Sequence, residues 1–482
     1  MHPRIATLVV VLTAVAAACD PANETVSPDV GAQLYRGEQS HAFAGFRTSA
    51  PAKAEVLVPG TVTPLVTAGD IMPGGEQLVG VPDGIGVWGG ARNISLFLNH
   101  EIAGASRVSR FAIDASEWKV IDHTYTIDGT EGYNRLCSAE WMDAGDGFPG
   151  GAFFTGEEGS DGIQLAIDAQ GRVTEMPWVG RYAHENMISV PGFHGSVVTL
   201  GFDDNGTSGI GRAGASSEVY MYVARNSNQV LRGQGQLYVF AADDAALFPN
   251  DLPLNTPVSG HWVAVPDAIA QDPAALNAFA DQDDVLAFPF TRAEDGFYDK
   301  RKGLSKPAAY FYDTGRSSIR DEAGAVIDPW GSIYRLEFQD PGNPAGPTTL
   351  MLVGRSTGPA DMWASPDNGD MDAAGRVMLQ EDPANGPWEP AQGVRPPAIF
   401  QLQLASNGTF VDPMGIKVAQ VTGGDCSPSG PGNCWETSGI VDASQWYGTN
   451  SWIFDVQAHD EVVPDCDDCI EDGQVLLMEL GG

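Results

Sequence analysis

A β-propeller, an all-β fold, is what this sequence predicts, and three observations predict it. Short strand-like runs recur along nearly the whole chain, turn residues separate almost all of them, and helical periodicity is confined to brief pieces such as Asp272 to Asp281. The 482 residues include 58 Gly and 33 Pro, as tight loops between many short strands require. Thirteen such runs exceed what one sandwich needs, and no composition shift marks a boundary between two sandwiches. Blades of a propeller accommodate the number and the spacing, although no strict sequence repeat marks them.

Taken in order, the chain opens on an export signal. Arg4 precedes an apolar run, Ile5 to Ala18, too short to span a bilayer. Ala16, Ala17, Ala18 and Cys19 resemble a bacterial lipoprotein cleavage box, with Ala16 where a Leu or Val is more usual. Residues 1–18 are therefore expected to be a signal peptide, and Cys19 to carry lipid; ordinary cleavage after Ala18 is the alternative. Residues 19–55, rich in Ala, Pro, Ser and Thr, read as a tether or an arm wrapping the edge of the fold, and residues 56–482 as a single propeller domain.

Within that domain the strand-like runs fall at Ser95 to Asn99, Gly151 to Thr155, Ser196 to Phe202, Glu218 to Val223, Gln236 to Ala241 and Trp262 to Val265. They continue at Ala309 to Tyr312, Ser332 to Phe338, Thr348 to Gly354, Arg376 to Gln380, Ala398 to Leu404, Ser451 to Val456 and Gln474 to Met478.

Charge and cysteines narrow the function. A formal net charge of −37 excludes a broad basic surface for nucleic acid. Of six cysteines, Cys426 and Cys434 bracket a Ser/Pro/Gly loop, and Cys466 and Cys469 form a CDDC pair. Disulfides suit an exported protein better than a four-thiolate zinc site, because the two spacings differ and acidic residues surround the second pair.

Cys137 stands alone between Cys19 and Cys426. It lies in NRLCSAEWMDAGDGFPGGAFFTGEEG, where a strand-like run ends at Glu157 and Glu158. If the two segments pair, thiolate and carboxylates reach one point and form a metal site; a small buried hydrophobe beside a solvated turn is the bland reading. Similar polar groups follow other apolar runs: Asn99 to Glu101, His184 and Glu185, Asp203 and Asp204, Arg292 with Glu294 and Asp295, Asp367 and Asn368, and Glu381 and Asp382. Any one of them suits a solvated turn. Gathered in a propeller channel, so many carboxylates need cations to offset their repulsion.

With those residues in hand, the chain resembles the PhoX-type alkaline phosphatases, exported bacterial enzymes on a β-propeller. The resemblance rests on a DG-containing strand near Asp83, NHE at Asn99 to Glu101, the Cys137 segment, GEE at Gly156 to Glu158 and the element from Gly180 to Glu185. It continues through Asp203 and Asp204, Arg292 to Asp295, Pro366 to Asn368 and the late Glu381 and Asp382. It implies six blades, a monomer, and a cluster of two ferric ions with calcium. In that reading Cys137 bridges the irons, and Glu157, Glu158, Glu185 and Glu294 are carboxylate ligands. Asp203, Asp204, Asp367 and Asp382 are further ligands, while Arg292 contacts phosphate and His184 is a second catalytic group. The signal lacks the twin-arginine pair typical of the family, and GEE and R-A-ED stand where CEE and R-P-ED are common.

The expected activity is metal-dependent hydrolysis of small phosphate monoesters in the cell envelope, the periplasm or outside the cell, with membrane attachment only through Cys19. Two alternatives accompany it: a calcium-dependent propeller hydrolase of another ester class, and a non-catalytic binding propeller whose metals hold the blades.

Overall fold

The computed structural model describes residues 45–205, 209–212, 215–383, 395–424, 426 and 434–481. The signal segment, Cys19 and the arm as far as residue 44 lie outside the described residues. Two strands enter first, β1 (Ala54–Val56) and β2 (Gly60–Thr67). Six antiparallel blades follow in chain order. The first is β3 (Pro82–Gly89), β4 (Asn93–His100), β5 (Arg107–Asp114) and β6 (Lys119–Ile127). The second is β7 (Leu136–Met142), β8 (Ala152–Glu157), β9 (Gln164–Ile167) and β10 (Val173–Glu175).

Blade three is β11 (His184–Ser189), β12 (Val197–Asp203), β13 (Val219–Ala224), β14 (Gln236–Ala242) and β15 (Val258–Val265). Blade four is β16 (Ala293–Tyr298), β17 (Ala308–Asp313), β18 (Ser332–Phe338) and β19 (Thr348–Arg355), and β15 pairs with β19 to join the outer edges of these two blades. Blade five is β20 (Pro366–Met371), β21 (Arg376–Glu381), β22 (Ala398–Gln403) and β23 (Ile416–Val421), with β1 added outside β23. Blade six is β24 (Glu436–Asp442), β25 (Ser451–Ala458) and β26 (Asp472–Leu480); its outer strand is β2, from the other end of the chain. The ring is thereby closed by strand pairing, and the residues just before position 56 belong to the fold as edge strands: Phe46 bridges Val120, and β1 covers an edge that would otherwise be open.

All thirteen strand-like runs are strands, because central strands of stacked blades are buried on both faces and select runs such as VYMYVA in β13. Aromatic packing joins neighbouring blades; Trp88 of blade one stacks on Trp141 of blade two with centroids 4.0 Å apart. Both predicted disulfides form, Cys426–Cys434 and Cys466–Cys469, and Cys137 is the free cysteine among the described residues.

Strands β3, β7, β11, β16, β20 and β24 neighbour one another in a closed ring around the axis. Each carries a β-bulge at its start, where two residues replace one: Asp83–Gly84, Cys137–Ser138, Glu185–Asn186, Glu294–Asp295, Asp367–Asn368 and Ser438–Gly439. Crowding at the bulges demands small residues in places. A Cβ on Gly84 would collide with the Ala139 backbone nitrogen and approach the Cys137 carbonyl oxygen to 2.6 Å. Gly84→Ala is therefore expected to destabilise the protein by about 1–3 kcal/mol in denaturant titration; an unchanged midpoint would show that blades one and two can separate freely.

Candidate metal centre

Three positions recur from blade to blade and together build one cavity of about 200 Å³. The first bulge residue supplies Asp83, Cys137, Glu185, Glu294 and Asp367; in blade six it is Ser438, whose hydroxyl donates to Asp83 Oδ1 at 2.7 Å. The residue following the second strand supplies Glu101, Glu158, Asp204, Asp382 and His459, with Thr314 in blade four. The residue two before the bulge supplies Arg135, Arg292 and Glu436. In blades one to five the same backbone hydrogen bond locks the last two positions together. Glu101 N–H donates to Val81, Glu158 to Arg135, Asp204 to Ala183, Thr314 to Arg292 and Asp382 to Ser365. Val81, Arg135 and Ser365 hold left-handed φ angles of 51°, 47° and 47°, strain that the surrounding blades sustain at the site.

Ligand chemistry concentrates in three overlapping groups, each with donor atoms within 4.8 Å of one another: Asp83, Glu101 and Cys137; Cys137, Glu158 and Glu185; Glu185, Glu294 and Asp367. Cys137 belongs to the first two and Glu185 to the last two, so a row of cations would share a thiolate and then a carboxylate. The Cys137 Sγ lies 3.2 Å from Glu158 Oε2.

Nine carboxylates and the thiol line the cavity against three basic side chains. Arg135 bonds Glu101 at 2.7 Å and pairs with Glu158. Arg292 forks onto Asp204, with Nε to Oδ1 at 2.8 Å and Nη2 to Oδ2 at 2.7 Å, and reaches Glu294 at 2.7 Å. His459 bonds Glu471 at 2.6 Å and lies 3.4 Å from Glu436; those partners outweigh its burial and push its pKa up to about 11, so it is charged at alkaline pH.

The remaining charge is uncompensated, and the acids record it. Burial first, then neighbouring carboxylates, push Glu158 and Asp367 up to about 8 and drive Asp83, Glu185 and Glu294 well above the usual carboxylate range. Burial and the Glu101, Glu158 and Glu185 charges raise the Cys137 thiol in the same way. Such a donor set fits cations and is costly without them: like charges a few Å apart in a desolvated channel oppose one another by several kcal/mol. The thiolate suits a transition metal and the carboxylates suit calcium.

The structure separates the expected site residues into two sets. Cys137, Glu158, Glu185, Asp204, Glu294, Asp367, Asp382 and Arg292 come together in the cavity. Glu157, Asp203 and His184 do not, and each is corrected by the pleat. Glu157 and Asp203 pair with the first residues of the inner strands, Leu136 and His184, and the residue after each turns into the channel instead. Glu157 Oε1 accepts from the Asn134 N–H at 2.8 Å, and Asp203 is buried against Glu218, whose charge with burial raises its pKa. His184 packs on the Tyr182 ring and is pushed down to about 3 by burial, a neutral imidazole beside the Gly180 carbonyl. Arg135, Glu436 and His459 complete the cavity and were not expected from sequence. In the sequence Asp83 and Glu101 stand in the motifs of the resemblance without a ligand role. Their signal is positional: each stands at the same offset from a bulge or a second strand as residues already suspected.

A second cavity, of about 110 Å³, lies further along the same six strands, where Glu140, Asp295 and the Lys300–Asp370 ion pair face it.

Fold and site define a class: a six-bladed propeller with a metal-ligand pocket of acids and a thiol at one end of its channel. The model of the family described as alkaline phosphatase PhoX matches residues 166–412, just over half of the chain. The chain belongs to the alkaline phosphatase PhoX family, and it is a phosphomonoesterase. Glu185, Asp204, Arg292, Glu294, Asp367 and Asp382 fall inside the matched segment; Asp83, Glu101, Cys137, Glu158, Glu436 and His459 fall outside it, and the propeller brings them to the same pocket.

Among solved structures, Pseudomonas fluorescens PhoX in complex with vanadate, a transition state analogue, is similar over 90% of this chain and 97% of that one, with a TM-score of 0.63 and 13% identity. That likeness shows the fold. A luciferin-regenerating enzyme (TM-score 0.38, 9% identity, 88% of this chain and 95% of that one) is a weaker likeness. So is a subtype N11 neuraminidase-like protein of A/flat-faced bat/Peru/033/2010 (H18N11) (TM-score 0.39, 10% identity, 89% of this chain and 95% of that one). A search of curated proteins finds no match.

Proposed function

We propose that this phosphomonoesterase works through a cluster of two ferric ions and calcium held by Asp83, Glu101, Cys137, Glu158, Glu185, Glu294 and Asp367, with small phosphate monoesters as substrates. The observation that carries the reading is the run of three ligand groups joined through Cys137 and Glu185, in a pocket whose acids outnumber its bases three to one. Bound ions supply Lewis-acid neutralisation of the phosphoryl charge and activation of an oxygen nucleophile.

The chain's own residues supply the rest. Arg292 is 4% exposed, and its Nη1 has no hydrogen-bond partner among the described residues while its other edge is held by Asp204 and Glu294. That leaves one nitrogen with its two N–H donors, fixed in direction, for phosphate oxygens. Glu436 and Glu471 hold His459 protonated, a second positive group at the rim. Apolar blade packing around the channel keeps the centre desolvated, which strengthens each of these contacts.

The export-type signal and the two disulfides support a site of action in the cell envelope, the periplasm or outside the cell, and Cys19 is proposed as the point of lipid attachment. A monomer suffices, because one chain closes the ring and completes the pocket.

The test is elemental analysis of the purified protein together with p-nitrophenyl phosphate hydrolysis before and after chelation. About two irons per chain with calcium, and turnover lost on chelation, are expected. Calcium without iron, or turnover indifferent to chelators, would overturn the proposed centre.

A further inference from the structure

Blade four breaks the acidic ring. Where four other blades place Glu or Asp after the second strand, it places Thr314, whose hydroxyl donates to the Pro366 carbonyl at 2.8 Å. Two residues on, Arg316 is half-buried, and its guanidinium makes no hydrogen bond or ion pair with any described residue. Its charged neighbours are Arg292, Asp204, Glu294 and Glu158. Those carboxylates are already engaged, Asp204 and Glu294 by Arg292 and Glu158 by Arg135. Burial and the Arg292 charge lower the Arg316 pKa, the opposite of what an ion-paired arginine shows.

Its placement is not left to a loose loop. The buried Asp313 carboxylate accepts from Thr291 N–H at 2.9 Å, Arg292 N–H at 3.0 Å and Gly315 N–H at 3.0 Å. One side chain thus fixes the backbone of both arginine-bearing segments. Thr314 N–H donates to the Arg292 carbonyl and Arg316 N–H to the Asp328 carbonyl, which completes the frame. Two arginine-bearing segments are therefore framed side by side, one with an orphaned buried Nη1 and one whose guanidinium has no partner among the described residues, and partial burial of neighbouring like charges is unfavourable until an anion arrives.

We propose that Arg316 is a second phosphate-binding residue, which contacts the phosphoryl group of the monoester from the pocket rim while Arg292 contacts it from within. The proposal rests on the phosphomonoesterase reading of the pocket. Arg316 serves substrate and product alike, so its loss weakens binding of both without disturbing the carboxylates that hold metal.

The test compares Arg316→Ala and Arg316→Lys with the wild-type metal-loaded protein. For Arg316→Ala, KM for p-nitrophenyl phosphate and the inhibition constant of inorganic phosphate are expected to rise together by about 10-fold to 100-fold, as loss of a charge-assisted contact implies. kcat is expected to stay within about threefold, because the contact is made equally before and during reaction. Iron and calcium content and Tm are expected to be unchanged, and Arg316→Lys is expected to recover part of the affinity. Phosphate inhibition within twofold of wild type, or a fall in metal content that accounts for the change, would overturn the role of Arg316 and leave the phosphomonoesterase reading standing. A wild-type protein that neither hydrolyses the ester nor binds phosphate would overturn both.

Discussion

Replacing Cys137 with alanine is expected to remove iron from the purified protein and to lower phosphomonoesterase activity by at least about 100-fold, since loss of groups that merely orient metal ligands already costs 10-fold to 100-fold. The thiol is shared by two of the three ligand groups, so its loss weakens two neighbouring positions at once. The fold should tolerate the change. Cys137 is 4% exposed and small, so alanine leaves only a slight void, and the bulge that carries it is fixed by β7–β8 pairing rather than by sulfur. Metal analysis and circular dichroism on the same sample separate the two effects. Full activity in a folded, metal-replete Cys137→Ala protein would sink the shared-ligand role.

Arg292→Met is expected to cost about 3–5 kcal/mol of stability, the range for breaking a buried ion pair by removing one partner. Methionine keeps much of the volume, so the loss arises from Asp204 and Glu294, which keep their burial and lose the guanidinium that bonds them both. The sign of the metal dependence follows. Cations at Glu294 compensate part of the orphaned charge, so the destabilisation is expected to be larger in chelated protein than in loaded protein. A double substitution, Arg292→Met with Asp204→Asn, is expected to be less unstable than the sum of the two, because one of the stranded charges is then gone. Denaturant titration of the four proteins with and without chelator reads both effects; strict additivity would contradict the coupling.

The strands that sequence periodicity revealed are the middle and outer strands of the blades, and the strands it missed include all six that line the channel. Physics explains the difference. Middle strands are sandwiched between blades and read as Val, Ile, Phe and Tyr, whereas β3, β7, β11, β16, β20 and β24 carry polar residues at their bulges and break the period there. Glu185, Glu294 and Asp367 are therefore visible as chemistry before they are visible as strand, whereas the Cys137 segment is legible as a strand through its expected pairing with the run that ends at Glu157.

The pairs His184–Glu185, Glu157–Glu158 and Asp203–Asp204 show the limit more sharply. Composition marks each pair, yet successive residues face opposite ways, and only the register places Glu185, Glu158 and Asp204 in the pocket. Arg135, Glu436 and His459 escaped because the repeat is one of position and not of residue type: Val81, Arg135, Ala183, Arg292, Ser365 and Glu436 share a location and almost no chemistry.

Closure of blade six by β2 has a consequence for how the protein comes into being. Glu436 and His459 reach the pocket only when the last blade is built, and that blade lacks its outer strand until the beginning of the domain meets its end. Contacts so distant along the chain form late, since their loop entropy must be overcome before they contribute stability. On a ribosome or in transit, blades one to five can present Cys137 and most of the carboxylates as an open crescent from which an ion can still escape. Joining the two ends turns that crescent into a ring, and retention of metal becomes a property of the completed chain.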